Sequence, residues 1–113
     1  MTTIAELAGE FVEVEVVHRD IALDAPFSGH LVESMKQALL REDPEAAVLP
    51  YCLSGGTDNK ALGRLGISGY GFAPLRLPAD LDFAPMFHGI DERVPTSSLR
   101  FGARVLGDFL RTC

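Results

Sequence analysis

Three short stretches carry residue types that can do chemistry. The first is Ser54-Gly55-Gly56-Thr57-Asp58, which follows an apolar run. Two glycines let a backbone approach a ligand closely, and a helix that begins just after them aims free amides at an anion such as a carboxylate. The plain alternative is a strand-to-helix turn with Thr57 or Asp58 as its cap. No Gly-Lys-Ser or Gly-Lys-Thr follows, so the stretch is not a phosphate-binding P-loop. The second is Phe87-His88-Gly89-Ile90-Asp91-Glu92-Arg93. A neutral imidazole in a loop can ligate zinc, with Asp91 or Glu92 orienting the ring, although a lone histidine is more often a plain surface residue. The third is His18-Arg19-Asp20. His18 and Asp20 have the spacing of a metal pair but read better as solvated charges at a strand end, and a kinase catalytic loop fails for want of its companion motifs. Arg19, at such a strand end, could clamp a carboxylate with two parallel hydrogen bonds.

The elements that must position these residues follow from periodicity. Thr3-Ile4-Ala5-Glu6 has the pattern of a capping box and opens a short helix that runs to Gly9. From Phe11 to His18 apolar and charged residues alternate as in a strand, with Val12, Val14 and Val16 on one face. Ser28 caps a second helix that ends near Arg41 and turns Leu31, Met35, Ala38 and Leu39 inward, and Asp43-Pro44 stops it. Ala47 to Leu53 reads as a buried strand. A short helix with Leu62 and Leu65 ends at Gly66, and Ile67 to Phe72 is a further strand. A proline-rich loop leads to His88. Pro95-Thr96 opens a last helix, expected to bury Leu99, Ala103, Leu106 and Leu110. Helices alternating with apolar strands imply an α/β fold, with a mixed or mostly parallel sheet of at least three strands flanked by helices.

The bulk numbers narrow the function. The chain has 113 residues, enough for one compact domain, and 47% of them are apolar, which argues against disorder. A net charge of −6 with scattered basic residues disfavours nucleic acid as a partner. The first ten residues lack the features of a signal peptide, and no apolar run is long enough to span a bilayer, so no membrane partner is expected. Two cysteines, Cys52 and Cys113, form neither a disulfide framework nor a zinc knuckle, and a reducing cytoplasm is the default setting.

In order and spacing, the stretch from Phe11 to the end resembles one family: the dinuclear zinc exopeptidases and deacylases that include carboxypeptidase G, the aminoacylases and succinyl-diaminopimelate desuccinylase. The elements that carry the resemblance are the Ser54 to Asp58 turn, Leu65-Gly66-Ile67, Tyr70-Gly71-Phe72-Ala73-Pro74, the His88 to Val94 loop and a final amphipathic helix. The resemblance implies a partial zinc-exopeptidase catalytic domain. Residues 1–10 would be the tail of the lid-domain helix, and residues 11–113 the carboxyl-terminal segment of the catalytic domain. It implies that His88 is a zinc ligand and that Gly55, Gly56 and Thr57 hold the substrate carboxylate through backbone amides. Arg19 is a looser match to a substrate-clamping arginine.

The family draws its other metal ligands from the half before its lid: a His-x-Asp, a bridging Asp, a Glu-Glu pair whose first member is the general base, and one further carboxylate or imidazole. His18-Arg19-Asp20 imitates the first of these but lies in the wrong segment. The chain contains no Glu-Glu. No catalytic residue is therefore assigned to it. In the complete enzyme two zinc ions about 3.5–4 Å apart would activate a bridging water for hydrolysis of an amide in a small carboxylate-bearing substrate or dipeptide. This chain alone is expected to be an inactive fragment, without tightly held zinc, whose partner is the missing amino-terminal half. Uncovered apolar surface is expected to drive self-association, through Val12, Val14 and Val16. Two alternatives remain: a non-catalytic interaction module that pairs with a separately encoded half, and a small anion-binding α/β domain built on the Gly55-Gly56 turn.

Overall fold

A computed structural model describes residues 2–53 and 55–113; Met1 and Ser54, the first residue of the glycine turn, lie outside the described residues. Among the described residues there are four α-helices, α1 (Thr2–Ala8), α2 (His30–Glu42), α3 (Asn59–Gly63) and α4 (Thr96–Thr112), and a single 3-10 turn at Ala84–Met86. Among the described residues there is no strand. The expected α/β fold with a mixed or mostly parallel sheet is therefore corrected to an arrangement of helices and irregular chain. The three strand-like segments, 11–18 with its alternation and 47–53 and 67–72 as short runs, form no ladder among the described residues. Alternation states which side chains share a face and supplies no partner strand. These segments are separated by helices, so pairing them in parallel would require crossovers that must be closed before any hydrogen bond forms.

The helix boundaries follow from local chemistry. At α2, Gly29 takes the N-cap position in place of the expected Ser28, and its carbonyl accepts the Glu33 N–H at 3.0 Å. Asp43 closes the other end by donating its N–H to Leu39 O at 2.9 Å, and Pro44 cannot continue the ladder. The turn after α3 closes at Gly66. Its φ of 75° is in the left-handed region, the Ile67 N–H reaches Leu62 O, and the Gly66 N–H reaches Gly63 O. That pair of bonds is a Schellman motif, which satisfies carbonyls that the helix end leaves orphaned.

The core sits where α2 crosses α4, the one pair of elements in extensive contact among the described residues. Ala38 of α2 packs with Phe101 and Val105 of α4, and Leu39, Phe72 and Phe109 close around them. Two ion pairs cross the junction in opposite senses, Arg41 to Asp108 and Arg104 to Glu42. They are exposed and so add little energy, but they fix the crossing. The chain after α3 then lies along α4. Phe72 meets Phe109 edge to face at 5.6 Å, Pro74 lies over Gly102, and Ser98 Oγ donates to Arg76 O at 2.6 Å. As residue number rises in this segment it falls in α4, so the two run antiparallel.

That contact corrects the expected inner face of α4. The buried residues are Ser98, Phe101, Gly102 and Val105, whereas Leu99 is 50% exposed, Leu106 37% and Leu110 71%. α4 is apolar on two faces, and α2 with the Phe72 to Arg76 segment covers one of them. Other apolar residues are open as well: Phe11, Val17, Ile21, Leu49, Tyr51 and Ile67 are all exposed. The radius of gyration is 18.4 Å, against about 13 Å for a compact chain of this length. No helix among the described residues is long and apolar enough to cross a membrane.

Gly102 gives a test of the α4 contact. A Cβ there would stand 2.7 Å from the Pro74 carbonyl oxygen. Gly102→Ala gains about 1 kcal/mol of helix propensity but forces the crossing chain away, at a cost of about 1–3 kcal/mol. The expected net result in urea unfolding is destabilisation. Gly107→Ala, whose Cβ would meet only the far end of Arg111 at 3.6 Å, is expected to be neutral or stabilising by up to about 1 kcal/mol.

Candidate functional site

Asp20 is the hub of the side-chain cluster nearest the glycine turn. Its Oδ2 accepts from His18 Nε2 at 3.0 Å and from Lys60 Nζ at 3.1 Å, and the Arg64 guanidinium stands 3.8 Å from Oδ1. An ionised carboxylate only accepts, so the ring nitrogen of His18 that faces it carries the proton. The hydrogen bond from His18, then that from Lys60, lowers the Asp20 pKa from 3.8 to about 2. Lys60 links the cluster to the turn: a Cβ on Gly56 would stand 3.6 Å from Lys60 Nζ.

The chain between Asp20 and Pro26 is held against the same region at two further points. Leu23 packs on α3 so closely that a Cβ on Gly63 would be 3.0 Å from its Cδ2, and Tyr70 Oη donates to Pro26 O at 2.9 Å. Periodicity placed His18 and Asp20 at a solvated strand end; the structure joins them to α3 instead. Lys60 was missed as a site residue. The only available signal was a cation one turn beyond Thr57, a common feature of helix surfaces.

Arg19 is exposed, and its guanidinium takes part in no hydrogen bond or ion pair among the described residues. Gly55, Gly56 and Thr57 are exposed too, and no protein group engages their amide N–H groups among the described residues. Thr57 O accepts the Lys60 N–H at 3.1 Å, and Asp58 O accepts from Ala61 and Leu62, so the turn feeds directly into α3. Asp58 occupies the N-cap position without a side-chain cap bond. With five residues, α3 is too short to build a strong macrodipole.

His88 lies in a loop of its own. Phe83 and Phe87 stack edge to face at 5.0 Å across the 3-10 turn, the Gly89 N–H closes on Met86 O at 2.9 Å, and the His88 N–H donates to Glu92 Oε2 at 3.0 Å. Glu92 thus holds the backbone of His88 rather than orienting its ring. Asp91 contributes its carbonyl, to Arg93 at 3.1 Å. With φ of 59°, His88 is the one non-glycine residue in the left-handed region among the described residues. That conformation costs a side-chain-bearing residue roughly 1–2 kcal/mol, and such strain gathers at functional positions. Among the described residues no hydrogen bond or ion pair joins this loop to the Gly55 to Thr57 turn.

Zinc takes three or four ligands. His88 supplies one, and among the described residues no group of three His, Cys, Asp or Glu is placed to hold a metal ion. Among the described residues the donor set therefore does not fit a zinc centre by itself. Compared with protein-family models, with curated proteins and with solved structures, the chain finds no match.

The Asp20 cluster can be tested by titration. Its folded pKa is depressed, so its pairing is intact above the unfolded value of 3.8 and is lost as pH falls through about 2. Carbon-detected NMR is expected to place the Asp20 midpoint near 2. His18→Ala is expected to raise it the most and Lys60→Ala by less. A midpoint unmoved by both substitutions would show that the cluster does not persist in solution.

Proposed function

We propose that this chain is a fragment of a zinc-dependent exopeptidase or deacylase, acting in its complete form on an amide bond of a small carboxylate-bearing substrate. The fragment contributes part of the substrate pocket and one metal ligand, and its partner is the amino-terminal half that carries the general base. The observation that carries this reading is the uncovered apolar surface beside the glycine turn. Leu49, Tyr51 and Leu53 before the turn and Leu65 and Ile67 after it are all exposed. Large apolar side chains left open on both sides of a turn suit a place where another part of a protein sits.

Three further features support the assignment of roles. Gly55, Gly56 and Thr57 present unengaged amides to a carboxylate, and the unpaired guanidinium of Arg19 adjoins Asp20, whose partner Lys60 passes beside Gly56. His88 holds a strained backbone that no packing requirement explains, since the residue is exposed. The exposed free thiols of Cys52 and Cys113 suit a reducing, cytoplasmic setting. The rival reading, an anion site formed by the turn alone, is weakened because Asp20 already neutralises Lys60, the nearest cation.

The purified chain is expected to show no turnover of N-acyl amino acids or dipeptides, with or without zinc. Co-expressed with an upstream half carrying His-x-Asp and Glu-Glu, it is expected to give zinc-dependent hydrolysis that His88→Ala abolishes. Chelator-sensitive turnover by the chain alone, lost in His88→Ala, would sink the fragment reading. Activity of the joined halves that is indifferent to His88→Ala would sink the ligand assignment.

A further inference from the structure

The open face of α4 has a definite chemistry. Leu99, Ala103, Leu106 and Leu110 recur at spacings of four, three and four, which is one stripe of a helix. Arg100 and Arg111 flank that stripe on one side, with Gly107 between them, where no side chain blocks a close approach. Arg100 makes no ion pair among the described residues, and Arg111 only a distant one at 3.9 Å, to an Asp108 that Arg41 already holds. The surface is thus apolar with a basic border, in a chain whose net charge is −6.

A second α4 does not suit this surface, since packing two such stripes sets arginine borders near each other. The chain carries a better complement at its other end. α1 has no extensive contact with any other element. Ile4 and Leu7 share one face of α1, and Phe11 follows just beyond the turn at Gly9, where φ is 78°; the three are 57%, 84% and 94% exposed. Between Met1 and Val17 there are four carboxylates, Glu6, Glu10, Glu13 and Glu15, and no lysine or arginine. Both surfaces are open at once in the same molecule, so the chain does not satisfy them internally.

We propose that the α4 stripe is a docking surface for the amino-terminal segment of a second copy of this chain. Ile4, Leu7 and Phe11 lie on Leu99, Leu106 and Leu110, with Glu6 and Glu10 facing Arg100 and Arg111. The exchange is reciprocal about a two-fold axis, so each dimer contains the contact twice. Val12, Val14 and Val16 follow directly and extend the apolar line. The proposal concerns the isolated chain and stands apart from the hydrolase reading, which rests on the surface beside the glycine turn.

Sedimentation of the purified chain over a range of concentrations tests this. A reversible dimer is expected. Leu110→Glu is expected to weaken it about tenfold or more, as are the charge reversals Glu6→Lys with Glu10→Lys, and Arg100→Glu with Arg111→Glu. All of these positions are exposed, and circular dichroism confirms that α4 stays folded in each variant. Combining the two charge reversals is expected to restore the dimer, which a general loss of stability would not do. A chain monomeric at every concentration overturns the proposal. So does a dimer indifferent to Leu110→Glu, a combined variant that stays monomeric, or a monomer whose own Leu7 shows nuclear Overhauser contacts to its own Leu110.

Discussion

The packed part of this molecule rests on the crossing of α2 and α4. Ala38, Phe101 and Val105 meet there, and all three are buried. The ion pairs Arg41–Asp108 and Arg104–Glu42 bracket that contact and set which turn of one helix faces which turn of the other. The remaining chain is anchored relative to this junction. Phe72, Pro74 and Arg76 lie on α4, and Tyr70 ties back to Pro26. Leu23 and Asp20 then fasten the Arg19 region to α3. The glycine turn is thus placed by a relay of contacts that starts at one small apolar core. The His88 loop joins the same helix from its other end, through Pro95.

The parts of the fold legible in the sequence are those governed by local rules. α2 stops at Asp43-Pro44, α3 closes at Gly66 and α4 opens at Pro95 because capping and proline chemistry act within a few residues. What was not legible depends on partners distant in sequence. Val12, Val14 and Val16 alternate as strand residues do, yet a strand is defined by hydrogen bonds to another strand, and none forms. α4 shows why periodicity identifies a helix and not its neighbour. Leu99, Leu106 and Leu110 make the more apolar stripe, but the buried stripe is that of Ser98, Gly102 and Val105. Small residues there admit a crossing backbone, and Leu, for all its hydrophobicity, would hold it off.

The site divides along the same line. Gly55, Gly56, Thr57, Arg19 and His88 are candidates named from residue type, motif spacing and the family resemblance. Lys60 and the role of Asp20 were not, because they arise from a contact between residues 40 positions apart. The left-handed backbone of His88 leaves little trace in the sequence, since Gly89 is the residue that turn chemistry would have selected for it. Glu92, read as a partner for the imidazole ring, instead fastens the main chain of His88. The strain at this residue is held in place by a carboxylate four residues away, so the loop keeps its shape without help from α2, α3 or α4.

The notch at Gly102 sets the register of the segment that crosses α4. The Pro74 carbonyl can settle only where a complete helical turn presents a position without a Cβ, and the positions three or four residues to either side are Ser98, Leu99, Val105 and Leu106, all of which carry one. Until α4 has coiled, there is no notch for Pro74 to find; once it has, there is one. The segment from Phe72 to Arg76 therefore acts as a latch that closes behind α4 and cannot slide along it by a turn. A shift by one turn would set the Pro74 carbonyl against a side chain, so the notch holds the segment to a single register on the helix.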